Sequence, residues 1–181
     1  MRRLDRQVKT ASQAIGTAVG EHGTTLTEGF GVGPVLAAKL LGHTGDITRF
    51  PSRDHFASDT GTDPIEAFSG DVRRHRLNQA GNRQLNTALH LIAVCQIRDP
   101  SPGQVYYRRK LDQAKTPEEA RRSLKRQLSN VIHAHLVADH RRRTSASRHT
   151  EALSGHVRSA GGRLDDDRSP SRQLTAKAPG Q

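Results

Sequence analysis

Apolar residues recur at helical spacing in several parts of the chain. Over residues 3–20 they stand at every third or fourth position, which predicts a helix. The stripe is thin and rich in alanine, so we expect this helix to pack against another element. A second apolar run, Val35–Leu41, follows Gly33 and Pro34, which suit a helix start, and Gly42 is expected to end it.

The best-patterned helices lie in the second half of the chain. Asn82 can cap a helix over residues 82–98, which two prolines then stop. Thr116 and Glu119 form a capping box around Pro117 at the start of the last helix. The predicted buried faces are Leu85, Ala88, Leu89, Ile92 and Gln96 in the first of these helices, and Leu124, Leu128, Val131, Ile132 and His135 in the second.

Shorter segments connect these helices. Thr25 and Ser52 can each cap a short helix, and Phe56 and Ala57 are expected to face inward in the second. Residues 59–80 show no helical period. They predict an extended loop or an irregular hairpin, exposed and basic.

The apolar pattern dissolves at Arg141, and residues 144–181 are rich in Ser, Arg, Gly and Asp, which predicts a disordered tail. Only 33% of the residues are hydrophobic and 3% aromatic, which is too few for 181 well-packed residues. The expected fold is therefore mainly α: a small helical domain containing a helix-hairpin-helix, an irregular basic loop and a disordered C-terminal tail.

The formal net charge is +11 and the pI about 10.9, which indicates a polyanionic partner, most simply DNA or RNA and less readily a membrane surface. Few aromatic residues argue against base stacking, so phosphate contact is the expected mode. The chain has no long apolar run and no signal-peptide layout, and its single cysteine, Cys95, excludes an internal disulfide. We therefore expect a protein of a reducing cytoplasm.

Gly31 and Gly33 form a Gly-x-Gly turn that opens directly into an apolar helix. Such a turn is the centre of a helix-hairpin-helix, where glycine lets the backbone approach a ligand and the helix N-terminus attracts a phosphate. This arrangement would position a nucleic-acid backbone without selecting a sequence. An ordinary turn between two helices explains the same residues.

Ser69, beside Gly70, is followed by Arg73, Arg74 and Arg76. This spacing places a hydroxyl close to cations that bind phosphate. A serine hydroxyl also needs a base, a metal or strong polarisation before it attacks phosphorus. On composition alone, a solvated basic loop is the simpler interpretation.

Two further groups have the composition of catalytic or metal sites. Tyr106 and Tyr107 stand next to three cations, and packing or phosphate contact explains them better than nucleophilic attack. The histidines of the last helix lack an acidic or cysteine partner at a recognised spacing, so we interpret them as surface residues rather than metal ligands. They are His133, His135 and His140.

The order of several motifs resembles the C-terminal domain of a group of bacterial insertion-sequence transposases. These are serine-dependent recombinases with an N-terminal RuvC-like domain, and some of them are guided by a bridge RNA. The resemblance covers roughly residues 1–140. It rests on Gly31–Pro34, Thr44–Pro51, Asp63-Pro64, Ser69-Gly70, Gly81–Arg83 and Leu85.

The resemblance implies DNA strand exchange through a covalent bond between a serine and DNA. Ser69 matches the Ser-Gly segment that holds the family nucleophile. The family often has two serines before this glycine, and Phe68 stands at the first of these positions. The family nucleophile therefore corresponds either to Ser69 or to the position of Phe68. A guide RNA and self-association are further implied partners. The implied DNA-binding residues are Gly31, Gly33, Arg73, Arg74, Arg76, Asn82 and Arg83.

Members of the group carry four metal-binding carboxylates in the RuvC-like domain, and Mg²⁺ is expected only with that domain. Nothing before residue 31 matches it, so we expect a truncated copy that is inactive alone. Its expected parts are residues 1–22, the end of a helical linker; 23–140, the transposase C-terminal helical domain; and 141–181, the disordered tail. The competing hypotheses are a non-catalytic helix-hairpin-helix module that binds nucleic acid, and a partner-binding helical domain whose charge only confers solubility.

Overall fold

The computed structural model describes residues 2–69, 72–77 and 81–160. The chain divides into two compact units, residues 1–142 and residues 143–181. The fold is mainly helical, as predicted. The helices are α1 (Arg2–His22), α2 (Pro34–Thr44), α3 (Arg53–Asp59), α4 (Arg83–Arg98), α5 (Pro102–Asp112) and α6 (Pro117–Ala160); the strands are β1 (Pro64–Ser69) and β2 (Val72–Leu77); and short 3₁₀ turns lie at Leu26–Glu28 and Ile47–Arg49.

The core of the first unit lies around α2 and α4. Helix α2 packs against both α1 and α4, and α4 also packs against α5. The side chains of Leu85, Leu89 and Ile92 on α4 are fully buried, as the helical pattern predicts. Helix α6 adds a stripe of buried apolar side chains at helical spacing: Leu124, Leu128, Ile132 and Leu136.

Local capping signals define where the helices begin. The Asn82 side chain accepts hydrogen bonds from the backbone N–H groups of Gln84, at 2.9 Å, and Leu85, at 3.3 Å. At the start of α6, the Glu119 carboxylate accepts from the Thr116 N–H at 2.9 Å, and the Thr116 hydroxyl accepts from the Glu119 N–H at 3.3 Å. The predicted cap of α4 and the predicted capping box are therefore confirmed.

Helix α2 ends later than the sequence predicts. It passes through Gly42 and ends at Thr44. Gly45 then takes a φ of 61°, and its N–H donates to the Leu41 carbonyl at 2.9 Å. Gly45 is therefore the terminating glycine, because the left-handed conformation is needed there and not at Gly42.

Helix α6 also runs further than predicted. The apolar stripe ends near Arg141, but the helix continues to Ala160. Residues 141–160 contain several strong helix formers and no proline, so their helix propensity is consistent with a longer α6. The rest of the predicted tail, residues 161–181, lies outside the described residues. None of the helices in the described part of the chain combines the length and the apolar character that crossing a membrane requires.

Three side chains are placed differently from the prediction. Val131 is 42% exposed, and Leu136, absent from the predicted face, is buried in its stead. Thr25 precedes the first 3₁₀ turn, but its side chain makes no capping hydrogen bond. The Thr25 side chain instead bonds to His135 and Asp139 on α6.

Residues 64–69 and 72–77 form two regular antiparallel strands, where the sequence predicts either an extended loop or an irregular hairpin. The two strands pair from Pro64 opposite Leu77 to Ser69 opposite Val72. Four of the six residues of β2 are basic, so no apolar alternation marks it as a strand. Backbone pairing of the two strands, rather than a buried face readable from the sequence, defines this element.

Candidate nucleic-acid interface

Ser69 stands at the turn end of the hairpin, where it pairs with Val72. Opposite residues of an antiparallel pair share a face, and faces alternate along each strand. The register therefore assigns Arg74 and Arg76 to the face of Ser69. Arg73 pairs with Phe68 and belongs to the other face. The register thus assigns the predicted serine and two of the three predicted arginines to one face of the strand pair.

The base of the hairpin is closed by backbone contact between residues 59–62 and 81–82, which we call the hairpin neck. The Asn82 N–H donates to the Asp59 carbonyl at 2.6 Å. A Cβ on Gly81 would lie 2.6 Å from the Gly61 nitrogen and 2.8 Å from the Asp59 oxygen, so only glycine fits there. The chain therefore leaves the helical core and returns to it at the same point.

Polar side chains fix the hairpin neck to α4 and α6. Asn86 donates through Nδ2 to the carbonyls of Thr60, at 2.8 Å, and Gly61, at 3.2 Å. The Asn86 Oδ1 accepts from Lys125 Nζ at 2.7 Å. The hydroxyl of Thr60, which is fully buried, lies 3.2 Å from that of Ser129. Because these bonds reach two helices, the base of the hairpin is held rigidly by the core.

The two glycines of the Gly-x-Gly turn have different surroundings. Gly31 has a φ of 80°, and a Cβ there would lie 3.2 Å from Cys95 Cβ. Gln96 Nε2 also donates to the Phe30 carbonyl at 2.8 Å, so this side of the turn packs against α4. A Cβ on Gly33 would have no neighbour within 4 Å. Packing therefore accounts for Gly31, whereas Gly33 leaves the N-terminus of α2 open to a ligand.

Asn82 and Arg83 stand at the start of α4. The Asn82 side-chain oxygen already caps the helix, so contact of that oxygen with nucleic acid would compete with the cap. Arg83, the first residue of α4, is exposed. Arg83 can therefore contact a phosphate without disturbing the cap of α4, whereas the Asn82 oxygen cannot.

A buried carboxylate on α6 has no signal in the sequence. Asp139 accepts hydrogen bonds from the Thr24 hydroxyl at 2.7 Å, the Thr25 N–H at 3.0 Å and the Thr25 hydroxyl at 2.8 Å, and also from Arg142. Burial works to raise the pKa of Asp139, but these hydrogen bonds and the Arg142 charge outweigh it and hold the pKa below its ordinary value. The threonines are 114 and 115 residues away along the chain, so no local pattern could reveal the contact.

Thr25, His135 and Asp139 have the composition of a catalytic triad but not its bonding. The Thr25 hydroxyl donates its proton to Asp139 and lies 2.9 Å from His135 Nδ1. That nitrogen must then carry a proton, so it cannot act as a base toward the hydroxyl. His133 is half-buried, with its ring centroid 5.6 Å from that of Phe56. His133 is therefore a packing residue and not the surface residue that the sequence predicts, whereas His135 lies half-buried on the face of α6 that the helical pattern predicts.

The remaining candidates from the sequence have structural contacts. The Tyr106 ring lies beneath the charged groups of Arg109 and Lys110, at 5.2 and 5.4 Å from its centroid, and together with Tyr107 it packs against the core. Over residues 2–69, 72–77 and 81–160, no group of three His, Cys, Asp or Glu side chains is arranged to hold a metal ion.

The hairpin, its neck and α4 fall within a segment that is similar to known proteins. Residues 23–108 match the family model described as Transposase IS116/IS110/IS902 family. The uncharacterized 43.6 kDa protein of insertion element IS110 from Streptomyces coelicolor is 39% identical over 113 residues, which are 61% of this chain and 28% of that protein. The uncharacterized 44.8 kDa protein of insertion element IS116 from Streptomyces clavuligerus is 29% identical over 107 residues, which are 59% of this chain and 27% of that protein.

Residues 23–108 are thus similar to insertion-sequence transposases, and in particular to the IS116/IS110/IS902 family. The two relatives are proteins of insertion elements IS110 and IS116. The chain spans little more than a quarter of the length of these two relatives.

Proposed function

We propose that this chain is the DNA-binding and strand-transfer part of an insertion-sequence transposase, with Ser69 as the nucleophile. The supporting observation is the hairpin: its register assigns Ser69, Arg74 and Arg76 to one face, inside the segment that matches the transposase family model. In this proposal residues 23–140 are the functional domain. Residues 1–22 connect it to the rest of the transposase.

The proposed reaction is a transesterification at phosphorus. Ser69 Oγ forms a bond to the phosphorus of a DNA phosphodiester as one P–O ester bond breaks, and the serine proton passes, directly or through solvent, to the departing oxygen. Guanidinium groups bind phosphate oxygens through paired hydrogen bonds and stabilise the charge that develops on them. We assign this task to Arg74 and Arg76, and we assign contacts to flanking phosphates to Arg73, Arg83 and the N-terminus of α2 at Gly33.

We further propose that the chain alone binds DNA but cleaves it poorly. A serine hydroxyl needs a base, a metal or strong polarisation to attack phosphorus, and two arginines supply only the last of these. In the described part of the chain, no group of three His, Cys, Asp or Glu side chains is placed to hold Mg²⁺. In this proposal Mg²⁺ is bound by the RuvC-like domain that the family resemblance implies.

Covalent trapping on DNA tests the role of Ser69. The chain is incubated with DNA from the end of an insertion element, with and without the remaining part of the Streptomyces coelicolor relative, and denatured to reveal a protein–DNA adduct. We expect an adduct in the complemented mixture that Ser69→Ala abolishes. The control, Ser12→Ala, changes an exposed serine of α1 and should leave the adduct unchanged. An adduct that persists in Ser69→Ala would exclude Ser69 as the nucleophile.

A second candidate function is non-catalytic binding of nucleic acid. It is favoured by Phe68, which stands where the transposases that this chain resembles often have a serine. This function predicts no adduct under any complementation, together with a DNA affinity that falls steeply as salt rises. Measuring the affinity for RNA over the same salt range tests binding of the guide RNA that the resemblance implies. Measuring the mass of the complexes tests the implied self-association.

A further inference from the structure

A second basic site lies outside the hairpin, in a cleft between α4 and α6. Its volume is about 360 Å³. Most of the side chains along it are polar or charged, and cations outnumber carboxylates. The cleft is lined by Asn86, Thr87, His90, Glu118, Arg121, Arg122 and Lys125.

Lys125 is the most unusual residue of this cleft. It is only 8% exposed, and its Nζ donates to the neutral oxygen of Asn86 at 2.7 Å. Within the described part of the chain, no carboxylate lies within ion-pair distance of Lys125. Buried ammonium groups are normally paired with an anion, because removing a charge from water is unfavourable. The fold therefore holds a buried positive charge whose balancing anion is not one of its described side chains.

The charges around Lys125 increase the imbalance. Arg121 and Arg122 lie on the same helix and line the same cleft. The acid among the lining residues is Glu118, which is 74% exposed and lies 3.1 Å from Arg121. Among the lining residues one exposed carboxylate stands beside three cations, and the Glu119 carboxylate also lies near Arg122, so the cleft keeps an excess of positive charge.

His90 closes the α4 side of the cleft and responds to its charge. Its pKa is lowered by partial burial and then by the nearby charges of Lys125 and Arg121. Burial and the Arg121 charge also lower the pKa of Lys125. An anion seated among these groups would act in the opposite direction on both residues.

The neutral polar groups of the cleft are already used by the fold. The Asn86 side chain bonds to the hairpin neck and to Lys125, and the Thr87 hydroxyl donates to the Arg83 carbonyl at 2.8 Å. The cleft is therefore suited to recognise a ligand by its charge rather than by hydrogen bonds to a base. Asn86 also places the cleft directly beside the hairpin neck.

We propose that this cleft binds one backbone phosphodiester of a nucleic acid, held by Arg121, Arg122 and Lys125 and bordered by His90. The assignment rests on the proposed nucleic-acid-binding function and adds to it a contact point outside the hairpin and the Gly-x-Gly turn. Because the cleft adjoins the hairpin neck, a strand that contacts the hairpin can continue into it. The cleft would then fix the direction in which that strand leaves the hairpin.

The first test measures the cleft itself, independently of duplex binding. The His90 ring resonance, assigned with His90→Gln, is followed by NMR as a function of pH while the dinucleotide thymidylyl-thymidine is added. We expect the His90 pKa to rise with the dinucleotide and to stay unchanged with its uncharged methylphosphonate analogue. Equal responses to the two compounds, or none to either, would overturn the assignment. A cleft that binds only the carboxylates of a protein partner would respond to neither compound.

The second test measures the contribution of the cleft to nucleic-acid binding. Affinity for a DNA duplex, and for an RNA duplex of the same sequence, is measured over a range of salt concentrations. Arg121→Gln/Arg122→Gln should lower the slope of log affinity against log salt by about one, as expected for one lost phosphate contact. The matched control, Arg98→Gln/Arg108→Gln, removes the same charge from exposed positions on α4 and α5 and should change the slope less.

These two tests separate failure of the cleft from failure of the proposed function. If the wild-type chain binds duplexes and Arg121→Gln/Arg122→Gln changes the salt slope no more than the control does, the cleft assignment is wrong and the proposed function stands. If duplex binding is absent but the dinucleotide still raises the His90 pKa, the proposed function fails and the cleft binds phosphodiesters. Lys125→Met provides a second variant and should abolish the response of His90.

Discussion

Lys125 and Asp139 are two buried charges on the same helix, α6, and their surroundings are opposite. Asp139 is 2% exposed and accepts hydrogen bonds from two threonines and one arginine. Lys125 is 8% exposed and donates to one neutral amide, with Arg121 nearby. A charge whose hydrogen bonds are all made within the chain contributes to the fold, whereas a charge that lacks an opposite partner is available to a ligand.

The largest change in the free energy of unfolding is expected when the Asp139 carboxylate is removed. Asp139→Ala leaves the donors of Thr24, Thr25 and Arg142 without their acceptor, and should lower the free energy of unfolding by about 3 kcal/mol. Urea unfolding at neutral pH measures the change. Asp54→Ala, which removes a mostly exposed carboxylate paired with Arg126, should lower it by less than about 1 kcal/mol. Equal losses would show that Asp139 is no more important to the fold than a surface acid.

The stabilisation by Asp139 should also depend on pH. Because its pKa is lowered in the folded state, the ionised carboxylate stabilises the fold fully above the ordinary Asp value near 4, and this contribution is lost as the pH falls through the lowered pKa. The difference in unfolding free energy between the unchanged chain and Asp139→Asn should be constant from about pH 7 to pH 5 and shrink below about pH 4. A difference that persists at low pH would mean that shape, and not charge, holds this cluster together.

The smallest effect is expected at Lys125. Lys125→Met removes the hydrogen bond to Asn86 but also a desolvated charge and its repulsion from Arg121, so the unfolding free energy should change by about 1 kcal/mol or less. The same urea experiment measures it. A loss as large as that of Asp139→Ala would mean that Lys125 is primarily a structural residue. Lys125 and Asp139 would then both serve the fold.

The parts of the fold that the sequence predicted depend on neighbouring residues. Asn82, Ser52 and the pair Thr116–Glu119 cap their helices through bonds that span two or three residues. The apolar face of α4 follows from its helical period. Such signals are local, so they can be read without knowing how the chain folds.

The parts that were missed depend on contacts between distant segments. Thr25 looked like a helix cap, but its hydroxyl bonds to Asp139, 114 residues later. The basic cleft could have been suspected from one local sign: Lys125 precedes Ser129 and Ile132 at helical spacing on the buried side of α6, where a lysine is out of place. The roles of Ser69 and of the arginines that follow it stay predictions.

The sequence also leaves the direction of each side chain undetermined. Gly31 and Gly33 are equivalent in a Gly-x-Gly motif, yet one packs against α4 and the other faces open space. Likewise Arg73, Arg74 and Arg76 form one basic run, and only strand pairing assigns two of them to the face of Ser69. Both distinctions come from elements that pack or pair with the motif, so they enter only with the tertiary structure.

The hairpin neck has a consequence for how this protein can change over evolution. Since Gly81 touches Gly61 and Asn82 bonds to Asp59, the segment between them starts and ends at one fixed point. Lengthening such a closed segment adds only a slowly growing entropy of closure and moves none of the helices. Substitutions and insertions within that segment should therefore leave the helical core unchanged.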